Sequence, residues 1–598
     1  MVTAPTPEST AASALRDLAD AFWESFLAAH PGFATVIGDR RFDDRLEDHS
    51  PEGRAAWAAT LDDTLRRAEA IAPERLDGHA RVTRSMLIEE AAGQLMALRT
   101  GVDDWSLNPI DGPQTWIVDM VDFQPISTPE EGQHLVTRIR AVDRLIDQLI
   151  ERLRQGLARG CVASVVPVER VIDEVSGLVA TPASDWRLAS PASEPHDDWE
   201  PSTLEAFRSN LVEAIELVVI PAFRRYADVL QQEILPVTRS SDQPGLVHVP
   251  DGAAAYRALA TSHTSLDLDP IEIHEVGLRE IERIDGAFAD LGARVLGVHG
   301  LEATLIALRT DPALRFADAD EVWSTARRTV ERAQAATPAW FGRLPVAQCE
   351  VVPIPAESAR HQTLAYYAWP ALDGSRPGRF HINLYAPETR ARFEAEALAF
   401  HEAVPGHHLQ LAIAQELDGA PAFQRTLGSN AFAEGWALYT ESLADEMGLY
   451  SSDMDRFGIL SFDAWRACRL VVDTGIHVIG WTRDRAIDFM RAHTALDDGN
   501  IANEVDRYIA WPGQALAYKL GQLEILRLRA LAEARLGARF EIRAFHDAVL
   551  GSGAVGLATL AGIVEAWIER EQATEPVGVS LNVSGLVEPV GSARLAVR

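Results

Sequence analysis

Apolar residues recur at three- and four-residue spacing through the first part of the chain, as in Leu15, Leu18, Phe22 and Phe26, and the pattern predicts amphipathic helices at 14–29, 52–70 and 78–99. The same period runs through 129–158 and 201–235, with Pro- and Ser-containing breaks at 180–200 and 236–250 that read as surface connections. Between 346 and 386 the character changes: CEVVPIP, HQTLAYYAWP and RFHINLYAP are short β-branched and aromatic runs bounded by Pro and Gly, which predicts a small sheet. Pro387 then opens a helix expected to continue through Phe393, Ala397, Phe400 and Val404. Further helices are expected at 430–447, 455–479, 484–494, 512–536 and 556–571, and no internal repeat is found. The fold class is therefore mostly α with a small sheet. A lead at 1–12 and a tail at 573–598 lack any period and are expected outside the fold; between them we expect an N-terminal helical part at 13–260 and a second helical part at 261–572.

With 598 residues, 47% hydrophobic and 24% charged, the chain has the material for a large buried core. A net charge of −33 argues against nucleic acid or an anionic membrane surface as partner. The scattered Cys161, Cys349 and Cys468 form no CxxC pair, and MVTAPTPEST has no basic segment leading into an apolar one, so a cytoplasmic location is expected. No uninterrupted apolar run approaches the roughly 18 residues of a membrane span. Of 55 basic residues a single one, Lys519, is lysine, which suggests a place that wants a compact ammonium.

Candidate chemistry concentrates in HEAVPGHHLQ at 401–410. A zinc-protease helix carries HExxH, two histidines at i and i+4 with a glutamate beside them as base, but here i+4 is Pro405, which binds no metal and breaks a regular helix. In a straight helix i+7 faces the same way as i but about 10 Å further along, while i+6 faces elsewhere, so either His407 or His408 requires the helix to bend. A catalytic zinc also needs a third ligand. In SNAFAEGWALYTESLADEMG, Glu434 and Glu441 fall on one helical face among Phe432, Trp436 and Tyr439, and a buried carboxylate wants a cation.

HEAVPGHHLQ, AFAEGWALYTE, RLVVDTGIH and PGQALAYKLG, in this order and preceded by PGFATVIGDRRFDDRL at 31–46, resemble the bacterial family known as domain of unknown function 885 over most of the chain. The resemblance implies kinship with the gluzincin metallopeptidases: a helical, metallopeptidase-like fold with a deep cleft, and one Zn²⁺ per chain. It implies His401, His407 and Glu434 as ligands and Glu402 as base, with Gly406-His407 closing a motif that carries two extra residues. His408 remains the alternative ligand. Glu441 would hold a histidine by its second nitrogen. The activity implied is hydrolysis of amide bonds in short peptides, with Glu402 taking a proton from metal-activated water. An oxyanion would be met by His477, near which Asp473 orients its neighbours, or by Tyr518. Arg469 or Lys519 would receive a substrate carboxylate. By analogy with strand addition in gluzincins, His381 and Asn383 would face a docked peptide. The alternatives are hydrolysis of a non-peptide amide or other C–N bond in a specialised pathway, and a metal-free binding protein or degenerate enzyme.

Overall fold

The computed structural model describes residues 7–360, 363–372, 374 and 376–573. It is mostly helical with one three-stranded sheet. Helix ends follow their local chemistry. In Pro51–Ala70 the Ser50 side chain accepts from Gly53 N and Pro51 takes the first turn, where its missing N–H costs nothing. Gly78–Thr100 is capped by Asp77 and ends at Gly101, whose φ of 62° suits only glycine well. Among the described residues no single helix is long and apolar enough to cross a membrane.

The first helix, Pro7–Ala29, buries Leu15, Leu18, Phe22 and Phe26 as its period requires. It thereby reaches into the expected lead, of which residues 1–6 lie outside the described ones. Those side chains share a core with Trp436, Ile525 and Val564, far along the chain. The expected boundary at 260 falls inside the helix Gly252–Thr264, so the core does not divide there. The helix Leu557–Ala573 closes the described chain, and 574–598 lies outside it.

Strands β1 (Cys349–Pro353), β2 (Ala365–Ala368) and β3 (Gly378–Ile382) pair in the order β1-β3-β2, with β1 parallel and β2 antiparallel to β3. The long helix expected from Pro387 does not form. Short 3₁₀ turns at Pro387–Thr389 and Arg392–Glu394 lead into a helix of Ala395–Glu402 only. Likewise the stretch expected at 512–536 begins later, at Leu516, because Pro512 donates no hydrogen bond and Gly513 turns left-handed at φ 84°. A separate helix, Asp498–Ala510, precedes that turn.

Candidate metal centre

The helix carrying His401 and Glu402 ends at Ala403, where ψ reaches −108°, passes a cis Val404–Pro405 bond and restarts as His407–Gln415. Glycine is required at the restart. A Cβ on Gly406 would lie 1.9 Å from the His401 carbonyl oxygen and 2.4 Å from that of Phe400. The helix Asn430–Glu446 clamps the bend: the Trp436 indole donates to the Pro405 carbonyl at 3.0 Å and the Thr440 hydroxyl to the Phe400 carbonyl at 3.3 Å. The bend thus turns His407 back onto His401, with ring centroids 4.9 Å apart and planes at 88°.

Glu434 enters from the clamping helix. Its neighbour Gly435 touches Gly521 of the Leu516–Leu536 helix so closely that a Cβ would meet backbone at 2.4 Å, and the two helices cross there without intervening side chains. Glu434 Oε2 lies 3.7 Å from His401 Nε2 and 3.5 Å from His407 Nε2. These separations exceed normal hydrogen bonds and match the roughly 3.4 Å between ligands of a tetrahedral ion with bonds near 2.1 Å. The three donor atoms lie within 4.8 Å of one another, and no other such group occurs among the described residues. Glu434 Oε2 is buried with no hydrogen-bond partner among the described residues, as a carboxylate awaiting a cation would be. The donor set of two imidazoles and one carboxylate fits zinc.

The electrostatics favour positive charge at this point. Burial opposes protonation of His401, but the Glu434 and Glu441 carboxylates overcome it and push the pKa up to about 10. Glu434, despite its burial, is held well below the ordinary range by the two histidines. A bound cation would take over the role that protons play here, since coordinating imidazoles must be neutral. Glu441 Oε1 accepts from His401 Nδ1 at 2.7 Å, which leaves Nε2 free for the ion. Glu402 lines the same cavity, and burial raises its pKa above the ordinary carboxylate value.

His408 turns the other way. Its Nδ1 meets the Tyr367 hydroxyl at 2.8 Å, against the sheet, so it is not the ligand that the alternative would make it. Four further expectations are corrected. His477 is fully buried, with Nδ1 accepting from Leu246 N and Nε2 donating to the Tyr508 carbonyl, so both nitrogens are consumed by backbone. Asp473 orients neither His477 nor Arg469; it accepts from the Tyr256 hydroxyl and from Gly513 N. Lys519 is 1% exposed and bound to Asp463, Glu280 and Gln522, so it receives no substrate. Asn383 is consumed by the Ala359 and Thr363 carbonyls and by Tyr385 N, and His381 lies on β3, whose two edges are already paired by β1 and β2. No strand can be added to a central strand; Tyr366 of the outer strand β2 stacks on His381 and lines the cavity instead.

That cavity holds about 570 Å³ and brings His401, Glu402, His407 and Glu434 together with Tyr518 and Arg469. Tyr518 lies beside Arg507, 3.4 Å from hydroxyl to Nη2. Arg469 is tied to Glu504 at 2.9 Å and to the Tyr508 hydroxyl, yet keeps Nη1 without a partner among the described residues. Among the lining residues with no assignment from the sequence are Arg466, Arg507 and Gln410, whose amide is 1% exposed with neither end partnered among the described residues. Gln410 stands inside the motif itself, three positions after His407, which was the one available signal.

A family model described as a bacterial protein of unknown function (DUF885) matches residues 31–564. No curated protein matches the chain. The crystal structure of a candidate lipoprotein from Colwellia psychrerythraea is similar at 28% identity and a TM-score of 0.86, covering 95% of this chain and 100% of that one. A candidate lipoprotein of unknown function from Shewanella oneidensis is similar in fold, at 16% identity and a TM-score of 0.70, over 94% of this chain and 100% of that one.

Proposed function

The chain belongs to the bacterial family of unknown function DUF885, and from that premise we propose that it is a zinc-dependent hydrolase of amide bonds acting on short peptides. One observation carries the reading: His401 Nε2, His407 Nε2 and Glu434 Oε2 converge at the spacing of a tetrahedral ion's ligands in a cavity that also holds Glu402. The order His-Glu, His, Glu along the sequence is also that of the gluzincin peptidases. When bound, such an ion supplies Lewis acidity, acidifying water and polarising a carbonyl oxygen.

The protein's own groups supply the rest. Glu441 fixes the His401 tautomer and ring, as a carboxylate behind a metal-binding histidine does. Glu402 takes the proton from water and returns it to the departing nitrogen; its raised pKa suits both duties. Tyr518 presents its hydroxyl to the oxygen on which negative charge grows. For the compartment two facts pull apart: the three cysteines are free thiols, which suits a reducing cytoplasm, while the description of the relatives as candidate lipoproteins suits the envelope. The chemistry is the same in either.

The test is metal analysis of full-length protein purified without added metal, followed by digestion of a mixed peptide library. We expect one zinc per chain and new amino termini. Glu402→Gln should keep the zinc and lower turnover by about 10³-fold, the usual contribution of a general base. Undiminished turnover in that variant would reject Glu402 as the base. Failure of the wild-type protein to hold zinc rejects the whole reading.

A further inference from the structure

Arg466 is a charge without a counterpart in contact among the described residues. It projects from the helix Arg456–Thr474 into the wall of the cavity and is 6% exposed, yet among the described residues its guanidinium has no ion pair and no hydrogen bond, and its Nε and Nη1 are fully buried. Stacking holds it in place: its central carbon lies 4.2 Å from the centre of the Trp465 ring and 4.6 Å from that of Phe462. Stacked rings stabilise the charge but accept no N–H, so Nε and Nη1 remain buried without a partner among the described residues, a condition native structures avoid. One turn along the same helix, Arg469 adds its own unpartnered Nη1 to the same cavity. On this wall Arg469 and Arg507 share one carboxylate, Glu504, while Glu441 and Glu504 act on Arg466 only through space, without an ion pair or hydrogen bond to its guanidinium among the described residues. The ligands and base, His401, Glu402, His407 and Glu434, line the same cavity.

We propose that Arg466, with Nη1 of Arg469 beside it, receives a carboxylate group of the substrate, which makes the enzyme selective for acid-ended over blocked amides. The inference rests on the cavity being the reacting site. A planar fork of N–H donors matches a carboxylate in shape and charge, and a buried guanidinium leaves that anion no water to fall back on. The carboxylate is either the peptide's own C-terminus, which makes the enzyme an exopeptidase, or an acidic side chain.

The test uses the full-length Glu402→Gln protein and three probes: N-acetyl-alanyl-alanine, its C-terminal amide, and N-acetyl-alanyl-aspartate amide. Titration calorimetry reads binding without turnover. We expect the free acid to bind about 100-fold more tightly than the amide, the scale of a charge-assisted pair made in a buried site. The aspartate amide shows whether a side-chain carboxylate serves as well; tight binding of either acid supports the proposal and names the source. Arg466→Gln in the same background should erase the discrimination without lowering the unfolding midpoint, and Arg466→Lys should restore part of it. Equal binding of all three probes, or discrimination that survives Arg466→Gln, overturns the proposal. Should the acids bind selectively while wild-type protein cleaves nothing, the anion site stands and the hydrolase reading falls.

Discussion

On the proposed function, His407→Ala should abolish zinc binding and lower peptide turnover by about 10³-fold or more, whereas the adjacent His408→Ala should keep both. The contrast follows from the bend at Pro405-Gly406, which sends the two rings in opposite directions: His407 Nε2 toward Glu434 at 3.5 Å, His408 Nδ1 toward Tyr367 at 2.8 Å. Removing one of three protein ligands would leave an ion too few anchors, and the Lewis acidity it would supply is worth several kcal/mol of barrier. Glu441→Ala falls between the two. It frees His401 without removing a ligand and should weaken zinc by about 10- to 100-fold, the usual cost of losing the group behind a metal-bound histidine. Competition with a chelator of known affinity ranks the three variants. Zinc lost from His408→Ala but retained by His407→Ala would refute this geometry.

Lys519→Met should be the most destabilising single change of a charged group outside the cavity, by about 3–5 kcal/mol in denaturant unfolding. Lys519 Nζ bonds Asp463, lies 3.0 Å from Glu280 Oε2 and donates to Gln522 at 2.8 Å, all between the helices Arg456–Thr474, Pro270–Leu291 and Leu516–Leu536. Without the ammonium, two carboxylates remain with only Arg283, which is half exposed, between them. The loss depends on pH. The Lys519 and Arg283 charges overcome burial and hold Asp463 below its ordinary 3.8, and they hold Glu280 below 4.5. Groups with depressed folded-state pKa values contribute stability above the unfolded values and lose it as pH falls through the folded ones. The gap between variant and wild type should therefore be widest near neutrality and close below about pH 4. Lys519→Arg should not restore stability, because a planar fork cannot point at three acceptors arranged around one ammonium. A gap that stays constant from pH 7 to pH 3 would mean that Lys519 acts through packing alone.

The residues of the motif were legible because their chemistry is local. Pro405 cannot sit in a regular helix, so a bend between His401 and the later histidines follows from the sequence. Its direction does not, because Trp436 and Thr440 of another helix set it. His477 shows the opposite case. A histidine four positions after an aspartate looks reactive, but its nitrogens are satisfied by Leu246 and Tyr508, one of them more than two hundred positions away. Strand order had the same character: nothing in RFHINLY tells that β3 is central, and that alone removes His381 and Asn383 from any docking edge. Arg466 escaped notice because an arginine on an amphipathic helix normally reaches solvent, and only tertiary packing buries it. The helix Val165–Ala180 was unread for a related reason. Its β-branched residues and Pro167 weaken the local signal, and burial of Val168, Val171 and Val175 supplies the stability that propensity lacks.

Lys519 also makes the protein its own reporter of opening. As the sole lysine, it offers a lysine-specific endoprotease one cleavable bond in the whole sequence, between Lys519 and Leu520, and at 1% exposure that bond is closed to a protease in the folded state. Two fragments, 1–519 and 520–598, therefore arise only from molecules whose helices have parted around the buried ammonium. The rate at which they accumulate in native buffer measures how often the scaffold behind the candidate metal centre comes apart.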